Sequence, residues 1–173
     1  MNIIAKNITY GIDKIIKSIQ VHLDNKLKWT GDIDCYGRLE RTDTDTGSKY
    51  EYYINGREYR EVFVDDRKDA VIGFVVLPTR SVDGFNVNAT VDVITTAKID
   101  NILVGSSRAT EKAINDMRKA LHSAPYTIEV VEVRETISEV FSGVTTELMK
   151  YRDMHPFYVF AIRINIIYNE DDC

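Results

Sequence analysis

The stretch from 156 to 168 constrains this chain more than any other. Tyr158, Phe160, Ile162, Ile164, Ile166 and Tyr168 fall at every second position, so a strand places them all on one face. A strand with one wholly apolar face is stable only inside a sheet that a second layer covers. An acidic segment follows at once, Asn169-Glu170-Asp171-Asp172-Cys173.

A helix to cover that sheet is written near the other end. Between 8 and 23, Ile12, Ile15, Ile16, Ile19 and Leu23 repeat at helical spacing and form one stripe, with Lys14, Lys17 and Gln20 mainly opposite. The β-branched isoleucines lower helix propensity, so packing must hold this helix. The spacing predicts a second helix over 108–121, lined by Ala109, Ala113, Ile114, Met117, Ala120 and Leu121 and capped by Ser106 or Ser107.

Strands fill the rest. Residues 70–77 are apolar on both faces (Ile72, Phe74 and Val76 against Val71, Val75 and Leu77), which marks a central strand. Pro78, which lacks a ladder N–H, is expected to stop it, with a turn at 81–84. Residues 88–99 and 126–134 alternate as further strands. Within 33–64 the pair Asn55-Gly56 predicts a two-residue type I′ turn. That turn sets Tyr52 opposite Tyr59 and Glu51 opposite Arg60. The loop before it, 41–48, carries Asp43, Asp45 and Gly47 but misses calcium-loop spacing, since twelve residues from Asp43 end on Ile54. It reads as a solvated turn.

The expected architecture is one α+β domain over 1–173. It has a largely antiparallel sheet, the N-terminal and second helices on one face, and a protruding Tyr-rich hairpin at about 33–64. A long connection at about 138–155 is partly helical near 145–151. Tyr is enriched in interface cores, so the hairpin reads equally as a contact arm or as rings packed onto the body. Tyr50, Tyr52, Tyr53 and Tyr59, with Tyr151 and Arg152 from the long connection, are the candidate subunit-contact residues.

Bulk properties narrow the function. A net charge of −5 argues against a general nucleic-acid binder, whose grip comes from Lys and Arg. No apolar run is long enough to cross a bilayer, and the N-terminus lacks signal-peptide character. The chain has two cysteines, Cys35 and Cys173, far apart in sequence; two do not make a disulfide framework, which fits a reducing compartment.

Chemistry is sparse. His22, His122 and His155 sit in separate elements without ligand spacing. Gly105-Ser106-Ser107 reads as a capping turn ahead of an anion site. Glu129, Glu132, Glu135 and Glu139 surround one strand end, and Asp92 lies on a neighbouring strand. Asp92 with Glu129 or Glu132 is the one nuclease-like metal arrangement available, although strand alternation lets at most one pair converge. The residues thus point to no enzyme, no metal and no cofactor.

The strand Asn88-Ala89-Thr90-Val91-Asp92-Val93-Ile94, the helix opening at Ser107-Arg108-Ala109, the strand that follows and the closing strand from Pro156 to Tyr168 make a recognisable order. With the first helix, this order resembles the tail terminator, tail completion and head–tail connector proteins of tailed bacteriophages. The resemblance implies a structural virion protein in the tail or neck, made in the host cytoplasm. It implies a ring, a hexamer or dodecamer, that contacts portal, connector or tail proteins while DNA passes through without specific binding and no membrane is involved. Head-to-tail contacts between dissimilar surfaces close rings without an active site. Loops such as 41–48 and 138–155 would become ordered against neighbours. The alternatives from the residues are the metal-dependent nuclease and a non-viral interaction module using the tyrosine arm.

Overall fold

The computed structural model describes residues 1–6, 9–45, 47–54, 58–61, 65–142 and 156–169. Within them the fold is α+β, with a mixed, mostly antiparallel sheet and helices on both of its faces. The strands are β1 (Asn2–Ile4), β2 (Ile33–Thr44), β3 (Gly47–Ile54), β4 (Glu58–Glu61), β5 (Ala70–Asp83), β6 (Asn86–Ala97), β7 (Thr127–Arg134) and β8 (Tyr158–Asn169). The helices are α1 (Ile12–Lys26), α2 (Ile99–Ile102), α3 (Ala109–His122) and α4 (Ile137–Val140). No helix among the described residues is long and apolar enough to cross a membrane.

The sheet runs β4-β3-β2-β5-β6-β8-β7. β8 lies between β6 and β7 and pairs antiparallel with both. Its alternate residues from Phe160 to Tyr168 are buried in one core with the α1 stripe and with Ala113, Ile114, Met117, Ala120 and Leu121 of α3. β5 sits mid-sheet and is covered on both sides, Ile72 and Phe74 on the helix side and Val71 and Val75 on the other. This is the arrangement its continuous apolar sequence requires.

Several boundaries move for identifiable reasons. Helix α1 starts after Gly11, whose φ of 53° turns the chain, so 9–11 are not helical although a helix was expected from 8, which lies outside the described residues. The three residues of β1 are too short to show periodicity. They pair parallel with Asp34–Tyr36 of β2, and α1 is the crossover between them. Pro78 does not stop β5. The strand runs on to Asp83, and its register with β6 shifts between Val76 and Arg80 around the proline, where no ladder N–H is demanded. A two-residue turn then joins Asp83 to Asn86. Gly84 takes φ 61° at its first position, the requirement of a type II′ hairpin. Helix α3 has neither Ser106 nor Ser107 as its cap. Arg108 occupies that position in the left-handed region with φ 55° and no side-chain cap bond, a conformation that costs a non-glycine residue roughly 1 kcal/mol.

The hairpin register also differs. Tyr52 pairs with Arg60, Tyr53 with Tyr59 and Glu51 with Glu61, one position off the expected ladder. Ile54 pairs with Glu58, so the connection holds three residues, where a type I′ turn has two. Asn55 and Gly56 themselves lie outside the described residues. Residues 41–44 and 47–48 are not a free loop: they are paired strand residues of β2 and β3 out to Thr44 and Gly47, and residue 46 lies outside the described residues.

A second core lies on the sheet face away from α1 and α3. It gathers Tyr36, Leu39, Tyr50, Tyr52, Val71, Val75, Ile94, Val159 and Ala161 under Val140 and Phe141. Helix α4, which brings the last two, falls where an irregular connection was expected. Its start is a capping box, with the Thr136 hydroxyl accepting from the Glu139 N–H and the Glu139 carboxylate accepting from the Thr136 N–H. The remainder of the long connection, with the helix expected near 145–151, lies outside the described residues.

Candidate functional site

The tyrosine arm is folded onto its own body. Tyr50 packs against Phe141, ring centroids 6.4 Å apart, and Tyr52 meets Tyr36 edge-on at 5.5 Å. Both side chains are buried. Burial, with the Asp92 charge second, raises the Tyr50 phenol above its ordinary value. Burial and then Asp13 push Tyr52 up to about 12. Within this chain these two rings hold the arm in place. Tyr53 and Tyr59 are paired in backbone register between β3 and β4. Tyr151 and Arg152 lie outside the described residues.

The arm's strand β3 also carries a buried acid. Glu51 stands opposite Glu40 on one side and Glu61 on the other. Its charge partner is Lys49, whose ammonium lies 2.6 Å from the Glu51 carboxylate. The Lys49 bond first, and the Thr42 hydroxyl after it, hold Glu51 below the usual carboxylate range. A group with a depressed folded pKa stabilises fully above its unfolded value and loses that contribution as the pH falls through the folded one. Amide-exchange protection in β3 should therefore weaken on acidification below the ordinary glutamate pKa. Glu51→Gln should flatten that dependence. Identical acid profiles for parent and variant would remove Glu51 from the account.

At the tip of the β2–β3 hairpin, Asp43 accepts from Ser48 and from Arg41 at 3.1 Å. These bonds depress its pKa and both fall on its Oδ1.

The strand residues singled out for metal chemistry do converge, but on arginines. Asp92 on β6 is paired in register with Arg163 on β8. Arg163 Nε lies 2.9 Å from Asp92 Oδ1 and its Nη2 lies 3.1 Å from Oδ2, a two-pronged bond. Arg134 of β7 reaches the same Oδ2 at 2.7 Å. Glu132 lies 3.3 Å from Arg163 and 3.7 Å from Arg134. Asp92 and Arg134 are buried. Asp92 holds the Arg163 guanidinium above its ordinary pKa. Arg134 Nη1 donates to the Glu139 carbonyl at 3.0 Å and so pins α4 to the sheet. Glu129 is in the next row, where Asn165 bridges it to Thr90 at 3.3 and 3.0 Å. A bulge at Val131 brings Glu132 to the Asp92 row, which simple alternation from Glu129 does not foresee. Among the described residues no group of three or more His, Cys, Asp or Glu is arranged to hold a metal.

The other candidates resolve locally. His22 Nε2 lies 3.0 Å from the Ser123 hydroxyl, and so joins α1 to the end of α3. Burial pushes the Cys35 thiol up to about 12, far from nucleophilic use at neutral pH. Glu135 accepts from the Tyr158 hydroxyl at 2.5 Å.

No family model, curated protein or solved structure matches this chain.

Sequence reading missed the apolar side chains that the fold leaves outside. Val82 and Phe85 stand at the β5–β6 hairpin tip, 66% and 73% exposed. Tyr10 precedes α1, Val104 lies between α2 and α3, and Val131 is bulged out of edge strand β7, all exposed. An aromatic residue directly after Gly84 in a two-residue turn was the available signal, since such a position has no interior to face.

Proposed function

We propose that this chain is a structural virion protein of a tailed bacteriophage, a subunit of a ring in the neck or tail that meets portal, connector or tail proteins. The observation that carries the reading is the placement of its exposed large apolar side chains. Besides Tyr10, Val21 and Ile167, they include residues on three separate elements, the β5–β6 tip (Val82, Phe85), the α2–α3 connection (Val104) and edge strand β7 (Val131). Separate, dissimilar contact surfaces are what head-to-tail closure needs. The order of elements from the first helix to the closing strand supports the same reading. A net charge of −5 suits a conduit that lets DNA pass without gripping it.

The nuclease reading is less favoured, because both Asp92 oxygens already face guanidinium groups that a metal would have to displace. A non-viral interaction module shares the contact surfaces. Gene neighbours separate it from the first reading, since portal and tail genes should lie alongside a virion component.

Mass photometry of the purified chain, alone and with its neighbouring gene products, tests the proposal. Ring-sized species are expected. The double variant Val82→Ser, Phe85→Ser should lose them with its melting temperature unchanged, because exposed sites contribute little to folding. A protein that stays monomeric at every concentration and beside every neighbour would sink the ring. Rings that survive the double variant would move the contact away from this tip.

A further inference from the structure

A small cavity lies between α1 and the arm, lined by Asp13 and Gln20 of α1, Gly37 and Arg38 of β2, Tyr52 of β3, and Lys6. Among the described residues, three of its oxygens are buried and find no hydrogen-bond partner: Asp13 Oδ1, Gln20 Oε1 and the Tyr52 hydroxyl. Gln20 and Tyr52 are 0% and 1% exposed, a depth at which polar atoms are almost always bonded.

We infer that this cavity is a binding site for one ordered water molecule, which bonds Tyr52, Gln20 and Asp13 and ties the tyrosine arm to helix α1. The donors and acceptors match. Gln20 cannot turn its amide around, because its Nε2 donates to the Cys35 carbonyl at 2.7 Å and lies 3.4 Å from the Ile4 carbonyl. Its Oε1 is therefore committed as an acceptor. Asp13 Oδ1 is a second acceptor. It lies 3.4 Å from Arg38 Nε, an ion pair without hydrogen-bond alignment. Tyr52 keeps its proton at neutral pH and is a donor. A water molecule gives two hydrogen bonds and takes one here, the usual total for a buried water. The space open to a water's centre is about 10 Å³, close to what a single molecule requires. The Cys35 thiol, which also lies beside Gln20, is not among the residues that line the cavity. A metal ion is the poorer occupant, because Lys6 and Arg38 lie 3.9 and 3.4 Å from the one carboxylate present. Gly37 leaves the room: a Cβ there would sit 3.4 Å from the Tyr52 ring and 3.7 Å from its hydroxyl.

The site holds whether or not the chain builds a ring. Tyr52→Phe tests it, because the two possibilities have opposite signs. If the hydroxyl is bonded to a water, its removal raises the unfolding equilibrium constant about five- to tenfold. If the hydroxyl is an orphan, its removal leaves the constant unchanged or lowers it, which overturns the inference. A high-resolution crystal structure of the parent chain supplies the second readout. Density within hydrogen-bond distance of all three oxygens is expected. A cavity without it, or density that refines as a metal ion, counts against the water.

Discussion

Truncating Phe160 to alanine should lower the free energy of unfolding by about 3–5 kcal/mol, the largest single-residue loss expected in this chain. The ring is fully buried in strand β8, and β8 is bonded along its length to β6 and over most of it to β7. Neighbouring strands held by ladders on both sides of β8 have little freedom to collapse into the space left behind. Incomplete collapse is what takes a cavity variant to the high end of the range. Ile167→Ala on the same strand is the control: that side chain is 42% exposed, and its loss should stay within about 0.5 kcal/mol. Urea denaturation of both variants measures the contrast. A Phe160→Ala loss below about 1 kcal/mol would mean that the β8 face is not the centre of the core.

Asp92→Ala should follow, with a loss of about 3 kcal/mol. Removing one partner of a buried ion pair leaves the other charge stranded, at a cost of about 3–5 kcal/mol. Arg134 is the stranded group, 8% exposed and 2.7 Å from the lost carboxylate. The lower end of the range applies because Glu132 stays close to both guanidiniums. Replacing all three at once (Asp92→Leu, Arg134→Met, Arg163→Met) should recover much of the loss, since well-packed apolar groups often match a buried ionic cluster. A single variant within about 0.5 kcal/mol of the parent would show that the network is dispensable. Cleavage of DNA by the parent but not by a folded Asp92→Ala variant would revive metal chemistry at this strand.

Legibility in the sequence followed the strength of the periodic signal. β8, β5 and the two long helices each carry enough apolar positions to fix a face, and their placement holds. β1 could not be read, since three residues contain no period. The hairpin register slipped because Asn55-Gly56 favours a two-residue turn while the ladder from Glu51 to Glu61 leaves three residues for the connection. Pro78 misled for a related reason: a proline ends a strand only where its missing N–H is needed, and a register shift removes the need. The start of α4 is written in Thr136-Ile137-Ser138-Glu139 as a capping-box spacing, but the four-residue helix beyond it is too short to carry a period. Asp92 and Glu132 were found as acids, but not the arginines beside them. Arg163, the one charged residue of its strand, declares its partner only once the register of β6 and β8 is known.

β2 joins two halves of the molecule by one unbroken backbone. Its first part, Ile33 to Leu39, runs parallel to β5, and its last part, Glu40 to Thr44, pairs with β3 of the tyrosine arm. The two ladders meet end to end at Leu39 and Glu40 and share no rung, so the packing of Tyr50 and Tyr52 in the second core keeps the arm from swinging there. A pull on the β2–β3 tip travels along covalent bonds to the parallel β2–β5 seam, where it acts lengthwise on all the rungs together. Such a seam resists tension as a lap joint does, by sharing the load, and gives way at once when the load exceeds the whole.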